Sequence, residues 1–334
     1  MISTVSIIIP CYNEQATIRP LLESILSQSY PRELLEVIIS DGLSRDGTRN
    51  QIAAFQSEHP ELRVRVVENP SRTIPAGLNR AIDAAQSDIL IRLDAHSMPY
   101  PEYVTRCVQA LEEGRGANVG GVWEVRPGAN TEMAKAIATA ATHPLGVGDA
   151  MYRLSPKAGP VDTVPFGSFR RGLVEEIGKF DESLLSNEDY EFNARVRQSG
   201  ATVWLDPQIR SVYIARSTLI ALARQYWRYG FWKFRMLLRY PVTLRWRQAL
   251  PPLFAVSLIG LAILGIWFRL ASLALIAELS IYLAVLLSAS LLMAVRQGNM
   301  WLVIGLPLAI TTMHLAWGGG FLWSLLSSPV QKNG

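Results

Sequence analysis

The stretch VSIIIPCYNE, residues 5–14, decides the fold class. It joins a short apolar run at 5–10 to a cluster of polar residues, and a helical pattern follows over 17–27. A short run rich in β-branched residues, followed by a helix, is typical of a buried strand in a parallel sheet. The stretch therefore predicts a central strand of an α/β fold, with polar residues at the carboxyl end of that strand.

The same strand–helix unit repeats along the first part of the chain. Further predicted strands lie at 35–40, 63–68 and 88–93, and predicted helices lie at 48–57, 76–85 and 101–113. This alternation predicts a mostly parallel sheet with helices on both faces. No G-x-G-x-x-G motif follows the first strand, which disfavours a dinucleotide-binding domain. Ligands of open α/β sheets bind at the carboxyl ends of the strands, so the polar residues there form the candidate site.

The last quarter of the chain has a different composition. Within residues 249–326 the formal charges are limited to Arg269, Glu278 and Arg296. Three apolar spans lie at 249–268, 270–295 and 300–326. Each span is long enough to cross the hydrocarbon core of a membrane, which is about 30 Å thick. A soluble domain joined to a membrane domain is therefore expected.

The segment before the first span is basic and aromatic. The chain has a net charge of +4, and many of its basic residues lie between Arg216 and Arg247. Basic residues beside an apolar span indicate contact with lipid headgroups and a cytoplasmic orientation. The expected partner is therefore membrane lipid, and nucleic acid is not expected to bind. Arginine mixed with tryptophan and tyrosine is typical of an interface helix. The predicted domains are an α/β domain at 1–215, an interface segment at 216–248 and three transmembrane helices at 249–328.

The pattern Asp94-Ala95-His96 is a candidate metal site. The strand predicted at 88–93 delivers both side chains to the edge of the sheet. A carboxylate and an imidazole suit a divalent cation, Mn²⁺ or Mg²⁺, that bridges a diphosphate. Alone, the pattern better fits a solvated turn with a helix-capping aspartate. Its position at a strand end favours the metal.

Two further sets of polar residues follow predicted strands or begin predicted helices. Asp41 comes directly after a buried strand, where its carboxylate is able to accept a base N–H, and Tyr12 is able to stack on that base. Glu188 and Asp189 begin a helix, where acids either satisfy the helix N-terminus or supply a general base for an acceptor hydroxyl.

Gln225 and Arg228 are three residues apart, on one face of the predicted interface helix. Arg228 is a candidate for bidentate binding of a pyrophosphate. A contact with lipid phosphate would explain the same arginine.

The sequence resembles the family 2 glycosyltransferases of GT-A fold over residues 4–230. The resemblance is carried by VSIIIPCYNE at 5–14, ISDG at 39–42, LDAH at 93–96, FGSFRR at 166–171, NED at 187–189 and QYWRY at 225–229. Each stretch is modest alone, but six in the order of the family are specific. The resemblance extends to bacterial succinoglycan-type exopolysaccharide glucosyltransferases.

The resemblance implies a Rossmann-like GT-A fold and a role at each matching position. The nucleotide, usually uridine, and its sugar diphosphate would be held by Pro10, Tyr12, Glu14, Asp41, Asn79, Asp94, Gln225 and Arg228. The acceptor would contact Phe166, Gly167, Ser168 and Glu188. Asp94 and His96 would hold the metal, and Asp189 would be the catalytic base. The implied reaction is inverting sugar transfer to a lipid-linked or growing saccharide, with other envelope-glycan assembly proteins as candidate partners.

Two departures from the family pattern bear on function. His96 stands where most members have aspartate, which leaves Mn²⁺ and Mg²⁺ open, and Tyr229 stands where processive synthases usually have tryptophan. Three spans and Tyr229 favour single addition over a processive polysaccharide synthase. A polyprenyl-phosphate sugar synthase and a non-catalytic membrane scaffold also stay open as functions. No signal-peptide pattern begins the chain, so the catalytic domain of a multi-pass protein is expected to face the cytoplasm at the inner membrane.

Overall fold

The computed structural model describes residues 3–154 and 157–327. The chain forms two compact units. The first contains Met1–Glu124 and Met151–Tyr213, and the second contains Val125–Ala150 and Ile214–Gly334. The chain therefore passes between the units three times. The boundary predicted at residue 215 lies close to the last of these passages, whereas residues 125–150 belong to the second unit and not to the first.

A mixed β-sheet runs through the first unit. Its strands are β1 (Val5–Cys11), β2 (Leu35–Asp41), β3 (Arg63–Glu68), β4 (Ile89–Arg92), β5 (Met98–Pro99), β6 (Asn118–Arg126), β7 (Gly159–Pro160), β8 (Ser168–Arg170) and β9 (Val203–Ile214). They lie in the order β3-β2-β1-β4-β8-β6-β9-β5, with β7 beside β9. The strands β3, β2, β1 and β4 are parallel, whereas β8 is antiparallel to β4 and β6. The predicted α/β class is confirmed.

Helices cover both faces of the parallel strands. The helices up to Gln198 are α1 (Ile18–Leu26), α2 (Thr48–Glu58), α3 (Ile74–Ala84), α4 (Tyr103–Glu112), α5 (Glu132–Ala140), α6 (Pro144–Val147), α7 (Met151–Leu154), α8 (Arg171–Ile177) and α9 (Glu188–Gln198), of which α5 and α6 lie in the second unit. Successive side chains of β1 alternate between two apolar layers. Ile7 and Ile9 join the layer that contains α1 and α4, and Ile8 joins the layer that contains α3 and α9.

An aromatic cluster in the first unit lies where the chain passes to the second. The rings of Trp123 and Tyr213 stack with their centroids 4.4 Å apart. The guanidinium of Arg153 lies 4.8 Å from the Trp123 ring centroid and 5.4 Å from that of Tyr152. Each of the three passages begins or ends within three residues of this cluster. Cation–π and stacking contacts therefore hold the three chain segments together.

The second unit is helical. Its remaining long helices are α10 (Leu219–Arg239), α11 (Trp246–Leu264), α12 (Arg269–Gln297) and α13 (Leu302–Ser327). The last three are long and apolar enough to cross a membrane, at positions close to the predicted spans. The basic and aromatic helix α10 packs along α13, with the Phe234 and Phe321 ring centroids 5.2 Å apart.

Residues 125–150 correct a sequence-based expectation. The glycine, proline and alanine content of the stretch after Val125, up to Pro165, predicts a mobile loop over the site, but its first part contains α5 and α6. Thr131 caps α5 by accepting a hydrogen bond from the Ala134 N–H at 3.2 Å. Ala136 is fully buried and packs in one apolar cluster with Leu302 of α13. Small side chains allow this close packing of helices, which composition alone did not reveal.

Side-chain hydrogen bonds join the helices of the second unit. Glu278 of α12 accepts a hydrogen bond from the Ser257 hydroxyl of α11 at 2.6 Å. Tyr282 lies 3.0 Å from Nδ1 of His314, whose Nε2 lies 2.8 Å from the carbonyl oxygen of Leu145. Such contacts fix helix positions where apolar surface alone gives little specificity.

Glycines allow α10 and α13 to approach closely. A Cβ atom at Gly320 would lie 2.1 Å from the Trp227 carbonyl oxygen, and one at Gly230 would lie 2.1 Å from the Trp317 carbonyl oxygen. Neither carbonyl is able to move without displacing a helix backbone. Glycine is therefore required at this crossing.

We predict that Gly320→Ala destabilises the protein by about 1–3 kcal/mol, because the added methyl group overpacks the helix crossing. Gly260→Ala is the matched control, since a Cβ at Gly260 meets nothing within 4 Å. The midpoint of thermal unfolding of the full chain in detergent measures both effects. Equal midpoints for the two variants would contradict this packing.

Candidate active site

The register of the parallel strands brings the predicted polar residues to one edge of the sheet. Cys11 at the end of β1 pairs with Asp41 at the end of β2, and Ile8 pairs with Arg92 at the end of β4. The residues that follow β1 and β4, among them Glu14 and His96, therefore lie at the same edge. The carboxyl ends of these strands form the candidate site.

Asp41 and Tyr12 form one corner of this site. The Asp41 carboxylate is fully buried and accepts hydrogen bonds from the Ser44 hydroxyl and from Nε of Arg49, both at 2.5 Å. Tyr12 keeps 40% of its surface exposed. A Cβ atom at Gly42 would lie 3.0 Å from the Tyr12 ring, so the absence of a side chain there leaves room for the ring. A fixed carboxylate beside an exposed aromatic face suits a nucleobase.

Glu14 and His96 are in side-chain contact nearby. Nδ1 of His96 lies 3.1 Å from Oε1 of Glu14, and the Thr17 hydroxyl donates to Oε2 at 2.5 Å. Burial alone would raise the pKa of Glu14, but the hydrogen bonds from His96 and Thr17 lower it. The Glu14 carboxyl is therefore ionised, and it orients an imidazole whose side chain is 54% exposed.

Arg92 is a buried cation that sequence reasoning missed. Its Nη2 donates to Oδ1 of Asp94 at 3.1 Å and to Oε1 of Glu188 at 2.8 Å, while its side chain is only 4% exposed. A buried guanidinium requires carboxylate partners, because leaving it unpaired in the interior costs several kcal/mol. An arginine within the otherwise apolar run at 89–93 was the signal available in the sequence.

Asp189 lies next to this ion pair in α9. Its Oδ1 accepts a hydrogen bond from the Tyr190 N–H at 2.7 Å. Burial, followed by the negative charge of Glu188, raises the pKa of Asp189 to about 6, although the positive charge of Arg92 opposes the increase. A carboxylate with a raised pKa beside the residues of this sheet edge is suited to general base catalysis near neutral pH.

The predicted acceptor residues are tied to the same strand end. The Arg92 backbone N–H donates to the Gly167 carbonyl oxygen at 3.0 Å. A Cβ atom at Gly167 would lie 2.7 Å from Oδ1 of Asn118, and the φ angle of +85° also favours glycine. Nδ2 of Asn118 in turn donates to Oδ1 of Asn193 in α9 at 2.7 Å. The segment around Phe166 and Ser168 is thereby fixed relative to α9.

Backbone strain is concentrated at the same edge. Among the described residues, the non-glycine positions with positive φ are Asn13, Leu43, Arg72, Phe166 and Asn187. The first three follow β1, β2 and β3, and the last two precede β8 and α9. Left-handed backbone at non-glycine residues costs energy and is found preferentially at functional sites. Its distribution supports one site at this edge.

Four residues predicted to bind the nucleotide sugar have other surroundings. Asn79 braces the loop after α8, because Nδ2 donates to the carbonyl oxygen of Phe180 and to Glu182, both at 2.9 Å. Pro10 packs toward Gly77, where an added Cβ would lie 3.2 Å from it. Gln225, in the second unit, donates to the Tyr229 hydroxyl at 2.8 Å. Arg228, on the same helix, is exposed.

The predicted metal ligands have separate hydrogen-bond partners, Arg92 for Asp94 and Glu14 for His96. Both side chains are partly exposed at the sheet edge. The carboxylate of Asp94 and the imidazole of His96 are suitable ligands for Mn²⁺ or Mg²⁺. The phosphates of a nucleotide sugar and water would supply the remaining ligands. The residues present fit such a cation.

A model of family 2 glycosyl transferases matches residues 6–178. The chain is 32% identical over 323 residues to the succinoglycan biosynthesis protein ExoA of Rhizobium meliloti, covering 96% of this chain and 94% of that protein. The chain belongs to glycosyltransferase family 2. It is therefore a glycosyltransferase of polysaccharide or glycan biosynthesis, as the resemblance implied.

Other relatives agree with this family. A Methanococcus voltae protein named as a dolichyl N-acetylglucosaminyl phosphate glucuronosyltransferase is 26% identical, over 96% of this chain and 97% of that protein. The mannosyltransferase PcManGT from Pyrobaculum calidifontis, solved with GDP-Man and Mn²⁺, superposes with a TM-score of 0.68 at 20% identity, covering 98% of this chain and 88% of that one. The GT-A fold expected for this glycosyltransferase is thereby confirmed.

We predict that Arg92→Met destabilises the glycosyltransferase by about 3–5 kcal/mol, because it leaves the charge of Glu188 buried without its partner. The added change Glu188→Gln should restore part of this loss. The matched control is Arg106→Met, which breaks the surface ion pair of Arg106 with Glu102 and should cost about 1 kcal/mol or less. Thermal unfolding of these variants and the wild type measures this. A loss no larger for Arg92→Met than for the control would refute the assignment.

Proposed function

We propose that this enzyme transfers one sugar, with inversion, from a UDP-sugar to a hydroxyl of a lipid-linked or growing saccharide acceptor. The observation that carries the proposal is the position of Asp189. It is a carboxyl with a pKa raised to about 6, beside the ion pair of Arg92 with Asp94 and Glu188. A base of this strength is partly protonated near pH 6 and ionised at pH 7, which suits removal of a hydroxyl proton.

In the proposed reaction Asp189 takes the proton of the acceptor hydroxyl as that oxygen forms a bond to the anomeric carbon. The bond from this carbon to the donor phosphate oxygen breaks, and its electron pair leaves with the nucleoside diphosphate. Attack from the face opposite the leaving group inverts the configuration in a single step. Glu188 is the competing candidate for the base, but its carboxylate is already paired with Arg92 at 2.8 Å.

The donor is proposed to lie along the carboxyl ends of β1, β2 and β4. Tyr12 and Asp41 hold the base, and Glu14 fixes the imidazole of His96. When bound, a divalent cation on Asp94 and His96 would neutralise the diphosphate. Pro10, Asn79, Gln225 and Arg228 remain proposed donor contacts from the family resemblance, and Phe166, Gly167 and Ser168 remain proposed acceptor contacts.

The relatives support the two substrate classes. The name of the Methanococcus voltae relative contains a dolichyl sugar phosphate, which favours a lipid-linked acceptor. The structural neighbours PcManGT and TarS of Staphylococcus aureus were solved with GDP-Man and UDP-GlcNAc, respectively, which favours a nucleotide sugar as donor. A polyprenyl-phosphate sugar synthase is the second candidate, since an undecaprenyl-phosphate transferase of Aeromonas hydrophila is 33% identical over 119 residues.

We predict that Asp189→Asn lowers transfer by a factor on the order of 10² to 10⁴ while donor affinity is unchanged, because only the base is lost. The wild-type rate should fall as the pH drops through about 6, since the higher proton concentration neutralises Asp189. The variant should lack this dependence. Transfer and donor binding are measured separately, with the donor identified by nucleoside diphosphate release from a panel of nucleotide sugars.

Glu188→Gln is the matched control for the base. It should keep a loss of transfer at acid pH, but with the midpoint moved below pH 6, because the negative charge that raises the pKa of Asp189 is gone. Loss of the pairing with Arg92 should also lower the rate. If Asp189→Asn transfers at nearly the wild-type rate and Glu188→Gln does not, the assignment is wrong. An acceptor phosphate needs no base, so loss of transfer in Asp189→Asn also counts against the polyprenyl-phosphate synthase.

We predict that EDTA abolishes transfer and that Mn²⁺ restores it at least as well as Mg²⁺. Mn²⁺ accepts an imidazole ligand more readily than Mg²⁺ does, because Mg²⁺ prefers oxygen ligands. Asp94→Asn should also weaken donor binding, because it removes a proposed metal ligand. Full activity in the presence of the chelator would exclude the metal site.

The enzyme is proposed to be a multi-pass protein of the cytoplasmic membrane with its catalytic unit in the cytoplasm. Arginines at the start of α11 and in α10 favour this orientation. Three spans then place the residues after α13 on the opposite side. A reporter fused after Gly334 should therefore be active only outside the cytoplasm, and a cytoplasmic signal would contradict the topology.

A further inference from the structure

A cavity of about 740 Å³ lies in the second unit. The residues that line it differ from those proposed to take part in catalysis. It lies between α5 and the turn that joins α12 to α13. Its polar and aromatic lining includes Glu132, Lys135, Thr139, Gln297, Asn299 and Trp301. The volume is within the range of small-molecule sites, roughly 300–1,000 Å³. We call this cavity the turn pocket.

The charges of the turn pocket cancel. Nζ of Lys135 donates to Oε1 of Glu132 at 2.7 Å, and Nδ2 of Asn299 donates to Oε2 at 2.7 Å. The hydrogen bonds from Lys135 and Asn299 lower the pKa of Glu132, so its carboxyl is ionised and paired. A phosphate would meet this carboxylate without a surplus cation to attract it. The pocket therefore favours a neutral ligand with hydroxyl groups, which both amides and carboxylates bind.

Trp301 supplies a flat apolar surface at the turn pocket. The side chain is 41% exposed, and its ring packs over Gly305, where an added Cβ would lie 2.6 Å from the ring. The Ala136 methyl group contacts the same glycine position from α5, at 2.7 Å. The ring is therefore held against the first turn of α13. An aromatic face beside polar groups suits the mixed apolar and polar surface of a sugar ring.

The walls of the turn pocket are joined before any ligand binds. Oδ1 of Asn299 accepts a hydrogen bond from the Trp301 N–H at 3.0 Å while its Nδ2 holds Glu132. The Thr139 hydroxyl of α5 lies 3.5 Å from Oε1 of Gln297. A pocket fixed in this way loses little conformational entropy on binding.

The turn pocket also has a defined place relative to the spans. With α11 leaving the first side of the membrane and α12 returning, the turn between α12 and α13 lies on the side where α11 begins. Tryptophan is enriched at this level of membrane proteins, where headgroups meet water. A ligand bound there is able to keep a lipid chain in the bilayer.

We propose that the turn pocket binds the neutral saccharide part of a membrane-anchored acceptor. This inference rests on the proposed function and extends it, since the pocket lies in the unit without the base. The sugars held there are those already built into the acceptor. The enzyme would then select acceptors by sugars other than the one that reacts.

The test uses the full chain in lipid nanodiscs and a panel of neutral tetrasaccharides, namely cellotetraose, laminaritetraose and maltotetraose. Saturation-transfer NMR and calorimetric titration measure binding. At least one of them should bind with a Kd of about 1 mM or tighter. Trp301→Ala should weaken this binding about tenfold, the amount expected for loss of an aromatic platform. Gln297→Ala, an exposed change that does not threaten folding, should weaken it about threefold.

Trp323→Ala is the matched control, because Trp323 is a 56% exposed tryptophan of α13, the helix that follows Trp301, and it does not line the turn pocket. It should leave tetrasaccharide binding unchanged. The inference is overturned if no tetrasaccharide binds the wild type, if neither Trp301→Ala nor Gln297→Ala weakens binding, or if inorganic phosphate or phosphatidylglycerol displaces the sugar.

Sugar transfer is assayed in parallel on the same preparations. Transfer to an extracted membrane acceptor, without tetrasaccharide binding, refutes the turn pocket and leaves the proposed function standing. Tetrasaccharide binding that depends on Trp301, without nucleoside diphosphate release from any nucleotide sugar, refutes the proposed function instead.

Discussion

The candidate site is organised around one desolvated cation. Arg92 closes the central strand β4 with its side chain buried, and water does not stabilise its charge there. The structure meets this requirement with Asp94 from its own strand end and with Glu188 from α9. The need to deliver Glu188 fixes where α9 begins, and with it the position of Asp189. The left-handed backbone of Asn187 turns the chain into that helix. The arrangement of the candidate site residues at the sheet edge thus follows from the need to pair a buried arginine.

The parallel half of the fold could be predicted because its signals are local. Each of β1, β2 and β4 is a short apolar run, and the amphipathic helices between them pack on the layers that those runs create. The antiparallel half could not be predicted, because β5, β7 and β8 have only two or three residues and pair with strands that are distant in sequence. The helices in residues 125–150 were missed for a related reason. Their small side chains indicate helix packing only when the partner helix α13 is known, and α13 lies far away in the sequence.

The candidate site was predictable to the extent that strand ends define it. Glu14, Asp41 and Asp94 follow apolar runs directly, and the strand register does bring these chain positions to one edge. Arg92 was missed because it was counted within such a run, although a charge in a buried strand always needs a partner. The bracing of Phe180 by Asn79 depends on a residue 101 positions away. No local pattern shows such a contact, and the catalytic and binding roles themselves stay predictions.

The three passages of the chain between its units bear on how such an enzyme arises by recombination. A domain attached at one point is exchanged as a cassette by a single joint in the gene. Here α5 and α6 are inserted between strands of the sheet that carries the candidate site, yet they pack on α13. A replacement of residues 214–334 alone would leave the alanine surface of α5 facing an unrelated helix. The insertion and the long apolar helices must therefore be inherited together, and a chimaera requires matched exchange at both places.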